Sequence, residues 1–206
     1  MALSLVQEPP APSFSPSLTN PFLNELTAAT MRTRKAQLQD VRSIHQLIHS
    51  FTHDGTLLPR RYTEISENIH TFTVVETNSG QFLGCAALHV YGQHLAEVRS
   101  IAVRAETKGH GAGGLLVRAL LDQAEAGGIP CVCLFTRIPA FFEHFHFRVT
   151  EHRALPDKVQ RDCMHCIRRN ACDEVAMAIG PLPAAGKMSS SLREPRPPTD
   201  LVQLRL

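Results

Sequence analysis

Four glycines fall within six residues of this chain, in Lys108-Gly109-His110-Gly111-Ala112-Gly113-Gly114. Without a Cβ in the way, successive backbone N–H groups there can turn into one concavity. A helical pattern starts immediately behind them, and a helix N-terminus adds partial positive charge. The combination suits a diphosphate, although a turn that merely redirects the chain has the same composition. No Gly-Lys-Ser/Thr closes the loop, and neither its spacing nor its late position fits a dinucleotide fingerprint. A second cluster is Cys163, Cys166 and Cys172, with His165 and Asp173 beside them. Cys163 and Cys166 have metal-ligand spacing, but no second Cys-x-x-Cys exists and three ligands fall short of a structural zinc set. Free thiols and no metal are expected. His45, His49 and His53 share one helix face without a carboxylate or cysteine in register, and read as a solvated face. Cys85, Cys131 and Cys133 lie in apolar strands and read as small core residues.

The elements that must position these groups have to fit one domain. The chain has 206 residues, 43% hydrophobic, enough for one ordinary core and too few for two large ones. With 21 Lys+Arg against 19 Asp+Glu, the formal charge of +2 gives no electrostatic case for nucleic acid. No stretch reaches the apolar length of a membrane span, and no basic region followed by a long apolar run opens the chain. The expectation is a cytoplasmic protein with reduced thiols. Prolines crowd residues 1–30 and 181–206, which also lack periodicity, so both ends are expected to be disordered tails around a domain at 31–180. Met31 is a candidate start, and the apolar tip 201–206 is expected to fray.

Between the tails, the pattern predicts a strand over 32–36, a helix over 38–51 and a shorter helix over 62–70. A hairpin follows, 71–76 with 81–91 across Asn78-Ser79-Gly80. Residues 95–103 read as a strand buried on both faces. A helix over 111–126 ends at Gly127-Gly128. Short strands at 131–135, 147–151 and 175–179 and a short helix at 139–145 complete an α/β (α+β) domain, with a mixed sheet covered by helices.

The loop resembles the acetyl-coenzyme A loop of GNAT acetyltransferases, with Lys108 in place of the usual Arg or Gln. The resemblance runs from about Arg32 to Ile179, and the element order is that of the GNAT fold. Within the superfamily, Leu57–Glu76, Gly84–Tyr91, Ala96–Val103 and Leu134–Phe147 look like the acetyltransferase domain of N-acetylglutamate synthases, and Lys158–Met177 resembles a short, single-domain group of them. The resemblance implies a mostly antiparallel twisted sheet and direct acetyl transfer to an amino acid, L-glutamate, at the entry to arginine synthesis. Acetyl-CoA and glutamate are the implied small-molecule partners, with no metal, no nucleic acid and no membrane; a homodimer is common for such folds. Larger synthases carry an arginine-responsive kinase-like domain, which these 206 residues are not expected to encode, and feedback inhibition stays open.

By the same resemblance, Lys108, Gly109, His110, Gly111, Ala112, Gly113 and Gly114 hold the cofactor, and a backbone N–H within Ile101, Ala102 and Val103 polarises the thioester, an oxyanion-hole device. Glu97 matches the acidic position of the general base, acting directly or through water, and burial would raise its pKa. A carboxylate paired with Arg99 is the alternative. The position that often carries a tyrosine acid holds Phe142, as in the synthases, with Tyr91 the nearest tyrosine. Arg60 and Arg137 match two arginines directed at substrate carboxylates, with Arg61 as a fallback. His146 stands where the family usually has glycine, a place a left-handed turn would make costly. Two other readings stay open: a GNAT acting on another amine, and a non-catalytic domain that binds acetyl-CoA or a partner.

Overall fold

The computed structural model describes residues 30–53 and 55–183. Most of the two expected tails, including the apolar tip, lies outside the described residues. The domain contains strands β1 (Met31–Lys35), β2 (Phe72–Thr77), β3 (Phe82–Gly92), β4 (Leu95–Val103), β5 (Val132–Thr136), β6 (Arg148–Val149) and β7 (Val175–Ile179). Its helices are α1 (Val41–Ser50), α2 (Tyr62–Glu67), α3 (Ala112–Ala126), α4 (Pro139–Glu143) and α5 (Pro156–Arg161). The strands form one seven-stranded sheet in the order β1-β2-β3-β4-β5-β7-β6, antiparallel except where β4 meets β5. β4 and β7 fall at the residues expected from the sequence. β6 is shorter than the 147–151 stretch expected, and α5 was not expected at all.

The faces follow from the side-chain period of two. On one face, α3 buries Leu116, Val117 and Leu120 against Leu88, Ala96 and Val98. On the other, α1 lays Val41, Ile44 and Ile48 over Val74, Cys85 and Ala102. Farther along that second face, Leu155 packs on Tyr91, Leu95, Cys131 and Cys133 and brings α5 down onto the sheet. Cys85, Cys131 and Cys133 are buried free thiols, the core residues expected. Asp40 starts the first helical run by accepting from the Gln37 amide at 2.7 Å, and is held by Arg34.

Strand β4 does not keep its alternation. Ala96 and Val98 face α3, yet Ala102 faces α1, and the pairing with β3 slips between Cys85 and Ala87. The slip centres on Ser100, a non-glycine residue at φ 54°. One extra residue at a bulge reverses the faces beyond it and bends the strand. Against β5 the pairing is limited to Ala96 with Val132 and Glu97 with Cys133. Past Glu97 the two strands therefore diverge, and β4 runs on to Val103 paired with β3 alone. The main chain of Ile101–Val103 thus has an edge with no strand partner in β5, as a backbone donor to a ligand requires.

The turn at His146 is left-handed, at φ 65°. Its side chain is exposed, so replacement removes backbone strain and little packing. His146→Gly is expected to raise the unfolding free energy by about 0.5–1 kcal/mol, read as a higher urea midpoint at constant m-value. A lower midpoint would show that the imidazole contributes more than the strain costs.

Candidate functional site

Two cavities draw on the strands that flank this split. The first is a groove of about 640 Å³, lined by Ile101–Val103, by Lys108, Gly109 and Gly111–Gly114, and by Phe141 and Phe142 of α4. Gly109 and Gly111 adopt φ 83° and φ 90°, a region closed to most side chains. Gly111 is the N-cap of α3, and Leu115 N–H to Gly111 carbonyl is an early intrahelical bond at 3.0 Å. The amides of Ala112, Gly113 and Gly114 precede it and have no intrahelical acceptor by helix geometry. Glycine also sets the distance between helices, since a Cβ on Gly113 would meet the Phe141 ring at 3.3 Å. The groove thus presents amides and a helix dipole at one end and apolar walls at the other, which suits a long ligand with a diphosphate. Lys108 is exposed and places its ammonium over the Phe51 ring, 5.6 Å from the centroid. His110 lies in the loop and is not among the groove-lining residues.

The second cavity, about 420 Å³, lies on the α5 side and is rich in cations: Arg60, Arg99, Lys158, Arg161 and Arg169 line it, against Asp162 and Glu174. Such an excess of cations focuses a positive potential on the space between. Arg60 is presented by the Pro59 loop and steadied by Glu64 one turn on, at 2.5 Å. Arg99 donates to His89 Nδ1 at 3.0 Å. That bond needs a neutral ring, and burial, followed by the charge on Arg99, pulls the His89 pKa down to about 4.

Glu97 is 2% exposed and lies behind this pocket, outside its lining. One carboxylate oxygen accepts from Tyr91 at 2.7 Å and the other meets Lys158 Nζ at 2.7 Å. Both partners reach Asp162 as well, Tyr91 at 2.5 Å and Lys158 at 3.0 Å. Arg99 stands 3.9 Å from Glu97 and 3.6 Å from Asp162. Burial works against the charge on Lys158, but Glu97 and Asp162 outweigh it and raise its pKa. Burial likewise opposes ionisation of Asp162, yet the bonds from Tyr91 and Lys158 hold its pKa below the ordinary carboxylate value. Burial, then the neighbouring Glu97 charge, drives the Tyr91 pKa upward, so the phenol stays protonated.

The expected site residues therefore separate. The glycine loop and Ile101–Val103 meet at the groove. Arg60 reaches the cationic pocket. Arg137 lines a smaller neighbouring cavity, where Asp173 lies 2.8 Å from its Nε, off the line of a hydrogen bond, and where it also donates to the Gly55 carbonyl. Phe142 is core, stacked edge-on against Phe141 and Phe147. Tyr91 sits in the carboxylate network. Cys163, Cys166 and Cys172 line the cationic pocket as free thiols. Among the described residues no group of His, Cys, Asp or Glu is arranged to hold a metal ion, and no helix is long and apolar enough to cross a membrane. Sequence reasoning missed Lys158 and Asp162 and saw Arg99 only as a partner for Glu97. The i, i+4 spacing of Lys158 and Asp162 after a proline was the available signal.

Comparison with known proteins gives consistent matches. The acetyltransferase (GNAT) family profile matches residues 38–147. An uncharacterized N-acetyltransferase of Chlorobaculum tepidum is 35% identical over 152 residues, 74% of this chain and 97% of that protein. An amino-acid acetyltransferase of Mycobacterium tuberculosis is 32% identical over 120 residues, 57% of this chain and 68% of its own length. Amino-acid acetyltransferases of Vibrio atlanticus and Ralstonia nicotianae are matched over only 24% and 23% of their lengths. Among solved structures, Rv2747 from Mycobacterium tuberculosis in complex with CoA superposes with a TM-score of 0.66 at 26% identity, covering 73% of this chain and 99% of that one.

Proposed function

The chain belongs to the acetyltransferase (GNAT) family, whose donor is acetyl-CoA, and from that premise we propose that it acetylates the α-amine of an acidic amino acid, L-glutamate in particular. The observation that carries the reading is the cationic pocket across β4 from the donor groove. A dicarboxylate entering it meets guanidinium forks on two walls, Arg60 from the Pro59 loop and Arg99 from β4. The relatives named amino-acid acetyltransferases support an amino-acid acceptor.

On the donor side, the amides of Gly111–Gly114 hold the diphosphate, and the unpaired edge of Ile101–Val103 supplies the bond that polarises the thioester carbonyl. Transfer is direct within a ternary complex. Glu97 is the base, and because it lies outside the pocket lining, the amine proton reaches it through an intermediary.

The test is purified protein with acetyl-CoA and a panel of amino acids, scored by product mass. Acetylated glutamate supports the reading, and exclusive acetylation of an uncharged amino acid or a peptide N-terminus overturns it. Arg60→Ala and Arg99→Ala are each expected to raise the acceptor KM by about 10- to 100-fold, the worth of a hydrogen bond to a charged group, with the acetyl-CoA KM unchanged. Arg137 is the further candidate anchor, and it would have to exchange Asp173 for a substrate carboxylate. A loss in Arg137→Ala equal to that in Arg60→Ala assigns it to the substrate; a small one assigns it to holding the Gly55 and Asp173 segments together.

A further inference from the structure

Tyr91 has one hydroxyl hydrogen, yet its oxygen lies 2.7 Å from a Glu97 oxygen and 2.5 Å from an Asp162 oxygen. With both carboxylates ionised, only one of those contacts can contain a proton. A single added proton, delivered by the acceptor ammonium, makes both of them hydrogen bonds. The arrangement also spans the distance that the base must cover. Glu97 is sealed at 2% exposure, whereas Asp162 lines the cationic pocket with a third of its side chain open, 34%.

We propose that Asp162 receives the proton of the acceptor ammonium and that Tyr91 relays it to Glu97, the three side chains acting as one base. This rests on the amine-acetylating reading above. An N–H bond of the ammonium breaks as an O–H bond forms on Asp162. That proton then moves to the Tyr91 oxygen while the phenolic hydrogen passes to Glu97, which restores the Asp162 carboxylate. The freed amine lone pair attacks the thioester carbonyl, a C–N bond forms, and the C–S bond breaks with its electrons on sulfur. The second nitrogen proton goes to the thiolate, and Glu97 returns its proton to solvent after product leaves.

The surroundings keep the unit charged and ready. Lys158 from α5 touches both carboxylates, and Arg99 from β4 stands within 4 Å of both. Arg161 lies over the Tyr91 ring, 5.8 Å from its centroid. His89 on β3 is neutral near pH 7 and stacks edge-on against Tyr91 at 4.7 Å. Cys133 of β5 is influenced by the Glu97 charge, and Cys163 by Asp162; burial before all else raises both thiols, which keeps them neutral.

The test compares wild type, Asp162→Asn and Tyr91→Phe, the last keeping the ring and removing only the link. Each variant is expected to lose about a hundredfold or more in kcat/KM for the acceptor at pH 7, with the acetyl-CoA KM unchanged. The deficit should shrink about tenfold per pH unit, up to the acceptor amine's own pKa, because the free amine then arrives without help. A merely structural role would lower activity equally at every pH. Wild-type rates in Asp162→Asn and Tyr91→Phe, with Glu97→Gln inactive, would overturn the relay and leave Glu97 acting alone. An independent readout needs no acceptor. Proton NMR of the wild type with CoA should show a far-downfield Tyr91 hydroxyl resonance from its short bond to a carboxylate, lost in Tyr91→Phe and displaced in Asp162→Asn. Its absence overturns the Tyr91 link, whereas failure to acetylate any amino acid with the resonance present overturns the acceptor reading alone.

Discussion

Glu97→Gln is expected to lower kcat by about 10²- to 10⁴-fold, the range of a lost general base, while CoA binding measured by calorimetry is retained. The side chain keeps its shape, and its carbonyl still accepts from Tyr91, but it can no longer take up a proton. The substitution also removes the partner 2.7 Å from Lys158. Removing one member of a buried pair is destabilising by about 3–5 kcal/mol, and Asp162, still 3.0 Å from the same ammonium, offsets part of that. A fall in melting temperature is therefore expected alongside the kinetic loss, and the two must be separated. The double variant Glu97→Gln with Lys158→Met removes both members of the pair. It is expected to regain stability without regaining turnover. Recovery of kcat with stability would show that Glu97 organises the fold and not the chemistry.

Gly109→Ala combined with Gly111→Ala is expected to weaken CoA binding by about 30- to 1,000-fold. The two residues sit at φ 83° and φ 90°, and an L-residue in a left-handed conformation costs about 1–2 kcal/mol. A Cβ on Gly109 would meet nothing within 4 Å, so the penalty there is conformational and not a collision. The loop is exposed and free to relax into another path, at which point its amides no longer converge. Calorimetry with CoA reads the loss, and a thermal melt close to the parent's locates it in the loop. Unchanged affinity and unchanged stability together would mean that these amides do not hold the diphosphate.

Much of this was legible along the chain because it depends on local rules. A glycine-dense loop ahead of an apolar period of 3.6 predicts an amide cradle at a helix start, and Gly111 caps α3 where expected. Apolar runs located β4 and β7, and flanking apolar residues identified Cys85, Cys131 and Cys133 as core. That His146 stands where glycine is usual marked a position at which a left-handed turn would be costly. The helix over Pro156–Arg161 was missed for an equally local reason: it is six residues long, with too few turns to show a period.

What tertiary structure alone decided is which groups meet. Tyr91 and Asp162 are 71 residues apart and Arg137 and Gly55 are 82 apart; no spacing rule spans such distances. Arg60 and Arg137 looked equivalent as residue types, but folding turned one into the cationic pocket and gave the other to Asp173. The faces of β4 beyond Ser100 likewise depend on register, because one extra residue there reverses everything after it. Composition and periodicity determine which faces are buried, since burial is a sum over local choices. The placement of charges against one another follows from how those faces pack, and that is a property of the whole fold.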